Sequence, residues 1–176
     1  GYGLSEKGVR YAKENGFTLI ITLDCGIRAE NRAALVKELN MDLIITDHHL
    51  PGKDLPDAVA VLDPKRADCT YPYKELCGCG VGFKLMQALA TEQGYPMEDV
   101  FKHLDLLAIA IAADIVEMKG ENRVLSHFGM DQINRHPRLG IRKILELKKR
   151  NGPLSVSDMV FTIGPRINAA GRIGSG

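Results

Sequence analysis

Leu43-Ile44-Ile45-Thr46-Asp47-His48-His49-Leu50-Pro51 is a short apolar, β-branched run that stops on one carboxylate and two imidazoles. A run that is apolar throughout, rather than alternating, suits a parallel strand covered on both faces. The same shape occurs once before it, where Phe17-Thr18-Leu19-Ile20-Ile21-Thr22-Leu23 ends on Asp24-Cys25-Gly26. Between the two, Arg28 to Leu39 reads as a helix with Ala33, Ala34, Leu35, Val36 and Leu39 as its inner surface. Strand, helix and strand within about thirty residues is the length of one right-handed βαβ unit. In an open parallel sheet, ligands gather beyond the carboxyl ends of the strands. The reading is therefore an α/β fold whose chemistry sits where these two strands stop.

The flanks extend this plan. Ser5 is placed to cap a helix running to about Glu14, which Asn15-Gly16 ends. After a turn-rich loop at Pro51 to Asp57, Ala58 to Leu62 reads as a third strand closed by Asp63-Pro64-Lys65. Arg66 to Cys77 has no periodicity and reads as a loop. Gly78-Cys79-Gly80-Val81-Gly82 then leads into a helix from Phe83 to Leu89, where close packing explains the glycines better than a phosphate cradle lacking the P-loop lysine and serine. From Met97 the pattern is mainly helical. Helices are expected over Val100 to Ile115, Asn122 to Asn134 and Arg138 to Arg150, with Pro137 marking a break, and a short one from Ser155 to Phe161. Gly164 to Arg172 is a loop or helix start carrying two arginines. The expected organisation is a parallel-sheet part over 1–95 and a helical part over 96–176.

With 176 residues, 45% hydrophobic and 26% charged, the chain has ordinary globular composition, and its net charge of +1 favours no partner. No apolar run approaches the roughly 20 residues that span a bilayer, and no signal-peptide pattern is present, so a cytoplasmic protein without membrane contact is expected. Cys25, Cys69, Cys77 and Cys79 do not form paired C-x-x-C motifs, which speaks for reduced thiols rather than a zinc site.

Asp24, Asp47, His48, His49 and Asp114 form the set that matters. An Asp-His-His triplet alone is compatible with a capping acid beside surface histidines. At a strand end, with Asp24 closing the neighbouring strand, it reads as ligands for a divalent ion that accepts carboxylate and imidazole together. Asp114 lies in apolar company, and a buried carboxylate needs a partner or a metal. His103, His127 and His136 read as structural or solvated, and Lys148-Lys149-Arg150 as a solvated helix end. Arg166 and Arg172, framed by glycine, proline and asparagine, suit phosphate contacts better than structural ion pairs.

These residues carry a resemblance. Leu23-Asp24-Cys25-Gly26 and Thr46-Asp47-His48-His49 resemble the second and third motifs of the DHH phosphoesterase superfamily, and Ala112-Ala113-Asp114-Ile115-Val116 its fourth. Asp63 to Arg66 with Tyr71-Pro72-Tyr73, the stretch Gly78 to Leu85, and Gly164 to Arg172 are similar to the superfamily's bacterial single-stranded-DNA exonucleases. The resemblance implies a two-metal site for Mn²⁺ or Mg²⁺ with Asp24 bridging and His48 and Asp114 as further ligands. It also implies catalytic roles for His49, against the ions or the scissile phosphate, and for Asp47, orienting an imidazole. Arg166, Asn168 and Arg172 would contact the DNA backbone. The implied reaction is 5′-to-3′ hydrolysis of single-stranded DNA in recombination and repair, with other repair proteins as possible partners. The alternatives are a phosphoesterase of the same superfamily acting on short oligonucleotides, cyclic dinucleotides or pyrophosphate, and a non-catalytic scaffold. The superfamily's first motif, an Asp-x-Asp pair, has no counterpart in this sequence, nor have its associated domain and OB-fold. This stretch alone is therefore expected to hold an incomplete metal site with little activity, and to leave free the sheet edge that an earlier strand would cover.

Overall fold

The computed structural model describes residues 3–147 and 152–172, with side chains described up to Ala169. Lys148, Lys149 and Arg150 lie outside this range. The chain forms two compact units, one running to Leu85 and the other from Met86.

The first unit is built on three parallel strands in the order β1 (Leu19–Leu23), β2 (Asp42–Thr46), β3 (Ala60–Leu62). Leu19 pairs with Asp42 and Leu23 with Thr46, while Thr46 pairs with Leu62, so all three strands stop at one edge. Helix α1 (Glu6–Glu14) starts where the Ser5 hydroxyl accepts the Gly8 N–H at 3.0 Å. Helix α2 (Glu30–Glu38) crosses from β1 to β2. Val9 of α1 and Ala33 and Val36 of α2 close with Met41, Leu43 and Ile45 into one core, joined by Ile20 and Val61. These are the sheet residues of one face, as the two-residue period of a strand requires.

The other face differs from the sequence reading. Leu19, Ile21 and Leu23 are 43%, 46% and 59% exposed, so β1 is not covered on both faces. An apolar run reports β-propensity and one buried face, but not what covers the second. Helix α3 (Gly78–Gln93) approaches this face near its end: a Cβ on Gly82 would come within 2.4 Å of Leu23 Cδ2. The glycines are not a loop ahead of α3 but its first turns, since Gly78 already begins the helix.

The second unit is helical. The expected helix from Val100 to Ile115 is two, α4 (Met97–Phe101) and α5 (Leu104–Ala113). Helices α6 (Gly120–Arg135) and α7 (Leu139–Leu147) follow, then α8 (Val156–Asp158), a π-helical turn (Met159–Ile163) and α9 (Gly164–Arg172). A capping box between Ser155 and Asp158 opens this last run. Ala108, Ile109 and Ala112 of α5 pack with Ile133, Ile141, Leu154, Met159 and Ile163. Asp105, fully buried, is held by Arg138 Nε at 2.5 Å.

Candidate metal centre

The site grows from the carboxyl edge of the sheet. The Asp24 N–H donates to the Thr46 carbonyl at 2.9 Å, continuing the ladder one step past β1, and Asp24 then turns into the left-handed region at φ +64°. Aspartate is among the few side chains that tolerate this conformation. At the end of β2 the Asp47 N–H donates to the Leu62 carbonyl at 3.0 Å.

Asp47 organises the turn beyond β2. Its Oδ2 accepts the Ile27 N–H at 2.9 Å, tying the loop after β1 to the end of β2. Its Oδ1 accepts the N–H groups of His48 at 2.8 Å and His49 at 3.3 Å and meets His49 Nδ1 at 2.7 Å. Burial pushes the Asp47 carboxyl up, but these hydrogen bonds to its ionised form prevail and hold it below the usual carboxylate range. A fixed, ionised Asp47 thus sets the direction of the His49 ring.

His48 is buried, with Nε2 3.2 Å from Asp24 Oδ1. The two imidazoles meet edge to face with centroids 4.5 Å apart. Asp24, His48 and His49 each offer a ligand atom, and all three atoms lie within 4.8 Å of one another. One carboxylate and two imidazoles with open space before them suit a borderline divalent ion such as Mn²⁺. Cys25 and Cys79 lie close by, yet burial, reinforced by the charge of Asp24, pushes both thiols up and keeps them protonated. The triad opens into a cleft of about 1140 Å³ whose lining includes Arg28, Arg32 and Lys65.

The profile of the DHH family, N-terminal domain, matches residues 4–111. The chain belongs to the DHH family. Among curated relatives, the single-stranded-DNA-specific exonuclease RecJ of Bacillus subtilis is 45% identical over 174 residues, covering 98% of this chain and 21% of that protein. RecJ of Escherichia coli is 40% identical over 184 residues, covering 98% of this chain and 32% of the relative. This DHH chain thus spans between a fifth and a third of the length of these relatives. A crystal structure of exonuclease RecJ bound to manganese superposes with a TM-score of 0.84 at 34% identity, covering 99% of this chain and 43% of that one. RecJ from Thermus thermophilus in complex with Mn²⁺ gives 0.81 at 32% identity, over 96% and 25%. The α/β fold with a mainly helical C-terminal part is therefore that of the DHH core.

Of the residues singled out in the sequence, Asp24, Asp47, His48 and His49 come together in the first unit. Asp114 belongs to the second unit, where it is the C-cap of α5. It is exposed rather than buried, because the helix ends at Ala113 and takes Asp114 out of the apolar stripe. Ile115 then adopts φ +54°, a conformation rare for a β-branched residue. Arg166 is exposed at the start of α9, with Nη1 donating to the Thr162 carbonyl at 2.8 Å. Asn168 is exposed on the same helix, and Arg172 ends it.

Two residues were not legible as part of this DHH site. Gly78 is one: a Cβ there would fall 2.1 Å from Asp24 Oδ1, so the start of α3 closes directly onto the carboxylate. The other is Asp63, buried just past β3, with Oδ1 accepting the Lys65 N–H at 2.7 Å. Burial pushes its carboxyl up, and the charge of Asp47 adds to this. The signal was available, since all three strands stop on an aspartate.

Proposed function

We propose that this chain carries the central part of the divalent-metal site of a 5′-to-3′ single-stranded-DNA exonuclease acting in recombination and repair. The observation that carries the reading is the convergence of Asp24, His48 and His49 at the floor of a cleft walled by Arg28, Arg32 and Lys65. The 40–45% identity to RecJ exonucleases supports the substrate class. Mn²⁺ is the ion by donor chemistry and by likeness to the manganese-bound relative, and Mg²⁺ is its hard counterpart. Such an ion supplies Lewis-acid charge at the phosphate and makes bound water acidic enough to attack.

The residues divide the work. Asp24 and His48 hold the ion, and Asp114 is the further ligand that its motif suggests. His49, aimed by Asp47, reaches the ion or the scissile phosphate. The cleft cations hold the flanking phosphates, and Arg166, Asn168 and Arg172 contact the backbone of the strand. The cellular setting is cytoplasmic, and other repair proteins are partners.

The test is Mn²⁺ titration of this chain, followed by digestion of a long 5′-phosphorylated strand beside a dinucleotide, with Asp24→Ala in parallel. Mn²⁺ uptake that Asp24→Ala abolishes supports the reading. Turnover by this chain alone is expected to be slight, since no Asp-x-Asp pair occurs in it. Hydrolysis of the dinucleotide in preference to the long strand would transfer the assignment to a short-oligonucleotide phosphoesterase.

A further inference from the structure

Asp24 follows β1, Asp47 follows β2 and Asp63 follows β3. The first two have work in the metal centre; Asp63 has none assigned. It is 3% exposed. One of its oxygens caps the Lys65 N–H, while Oδ2 is buried and meets no hydrogen-bond donor among the described residues. A buried carboxylate oxygen without a donor is expensive, and native folds keep such groups where a function supplies what is missing.

Its place points to that function. Thr46 pairs with Leu62, and Asp47 donates to the Leu62 carbonyl, so Asp63 enters level with Asp47 and next to the histidine pair. Asp63 also feels the charge of His48. Asp47 is committed elsewhere, since Ile27, His48 and His49 N–H groups and the His49 ring occupy both of its oxygens.

We propose that Asp63 accepts the Nδ1–H of His48 when a divalent cation is bound at Nε2, making Asp63 the positioning residue of that ligand. A cation on Nε2 fixes the neutral tautomer with its proton on Nδ1, and a carboxylate behind a ligating imidazole holds the ring and raises its basicity. Each imidazole of the pair then has its own carboxylate, Asp47 for His49 and Asp63 for His48. The inference rests on the metal-centre reading of Asp24, His48 and His49.

The test is Mn²⁺ affinity of this chain, read by electron paramagnetic resonance titration, for wild type, Asp63→Asn and Asp63→Ala, with metal-free melting curves alongside. Loss of such a partner weakens metal binding by about 10–100-fold. Asp63→Asn, which keeps an oxygen for the Lys65 cap, is expected at the low end of that range and Asp63→Ala at the high end. A residue that only capped the turn would lower the melting temperature and leave affinity alone, so folded Asp63→Asn with wild-type affinity overturns the inference even where Asp63→Ala does not fold. A wild-type chain that takes up no Mn²⁺ overturns the metal centre and this role with it. Wild-type uptake with unchanged variants removes the role of Asp63 alone.

Discussion

Asp24 sits with its backbone in the left-handed region and its carboxylate against Gly78, and both facts bear on how it presents a ligand atom. Gly78→Ala would place a methyl 2.1 Å from Oδ1, so either the carboxylate swings away or the start of α3 retreats. Mn²⁺ affinity is expected to fall by about tenfold or more, since displacements near 1 Å at a site carry penalties of that order; the same metal titration checks it. Asp63 gives a pH dependence of definite sign. Its folded pKa is raised, so the stability it contributes is fully present below the unfolded carboxyl value of about 4 and is lost as pH rises through the raised folded value. Metal-free Asp63→Asn, which cannot titrate, should therefore gain stability relative to wild type as pH rises above about 4, as urea midpoints measured across a pH series will show. The convergence of Asp24, His48 and His49 was legible because the ends of two neighbouring strands carry them within two short motifs. Gly78 was not, because its meaning lies in a contact made across elements, whereas Asp63 was visible as a third strand-end acid without its burial being so.

At the scale of elements, boundaries set by special backbone geometry were the least legible. The apolar stripe from Val100 to Ile115 has helical periodicity throughout and hides the break at Lys102 and His103. The glycines of α3 argue against helix by propensity, and packing overrides them at Asp24 and Leu23. Just past α5 and its C-cap Asp114 comes Ile115, 84% exposed and in the left-handed region where glycine is the usual choice. Ile115→Gly relieves a left-handed penalty of about 1–2 kcal/mol and should raise the stability of the second unit by part of that, read as a higher urea midpoint. Gly129 presents the opposite case. A Cβ there would come within 2.1 Å of the Leu104 carbonyl, where α6 crosses α5 with almost no gap. Gly129→Ala is expected to destabilise by about 1–3 kcal/mol, the range of overpacked cores, with a matching drop in melting temperature.

At the scale of the whole molecule, the α/β class and the helical tail were readable from the period of the apolar residues, while the open face of β1 was not. On the proposed function, a polyanion must be brought to an edge where three strands stop on carboxylates. Arg28, Arg32 and Lys65 offset that charge along the cleft wall. Replacing Arg28 and Lys65 together by glutamate should weaken single-stranded DNA binding and flatten its dependence on salt, since each lost phosphate contact lowers the slope by about 0.7. Fluorescence anisotropy over a salt series measures both effects. The left-handed turn at Asp24 also acts as a filter on inheritance. On the proposed function, a descendant that gives up catalysis is free to lose the carboxylate but not the shape of the turn, so its cheapest substitutions at position 24 are asparagine and glycine, while valine and isoleucine add about 1–2 kcal/mol of left-handed strain, as Ile115 already does elsewhere. Retired copies of this domain should therefore carry Asn or Gly at that position, and a stability-selected library randomised at Asp24 should return the same two.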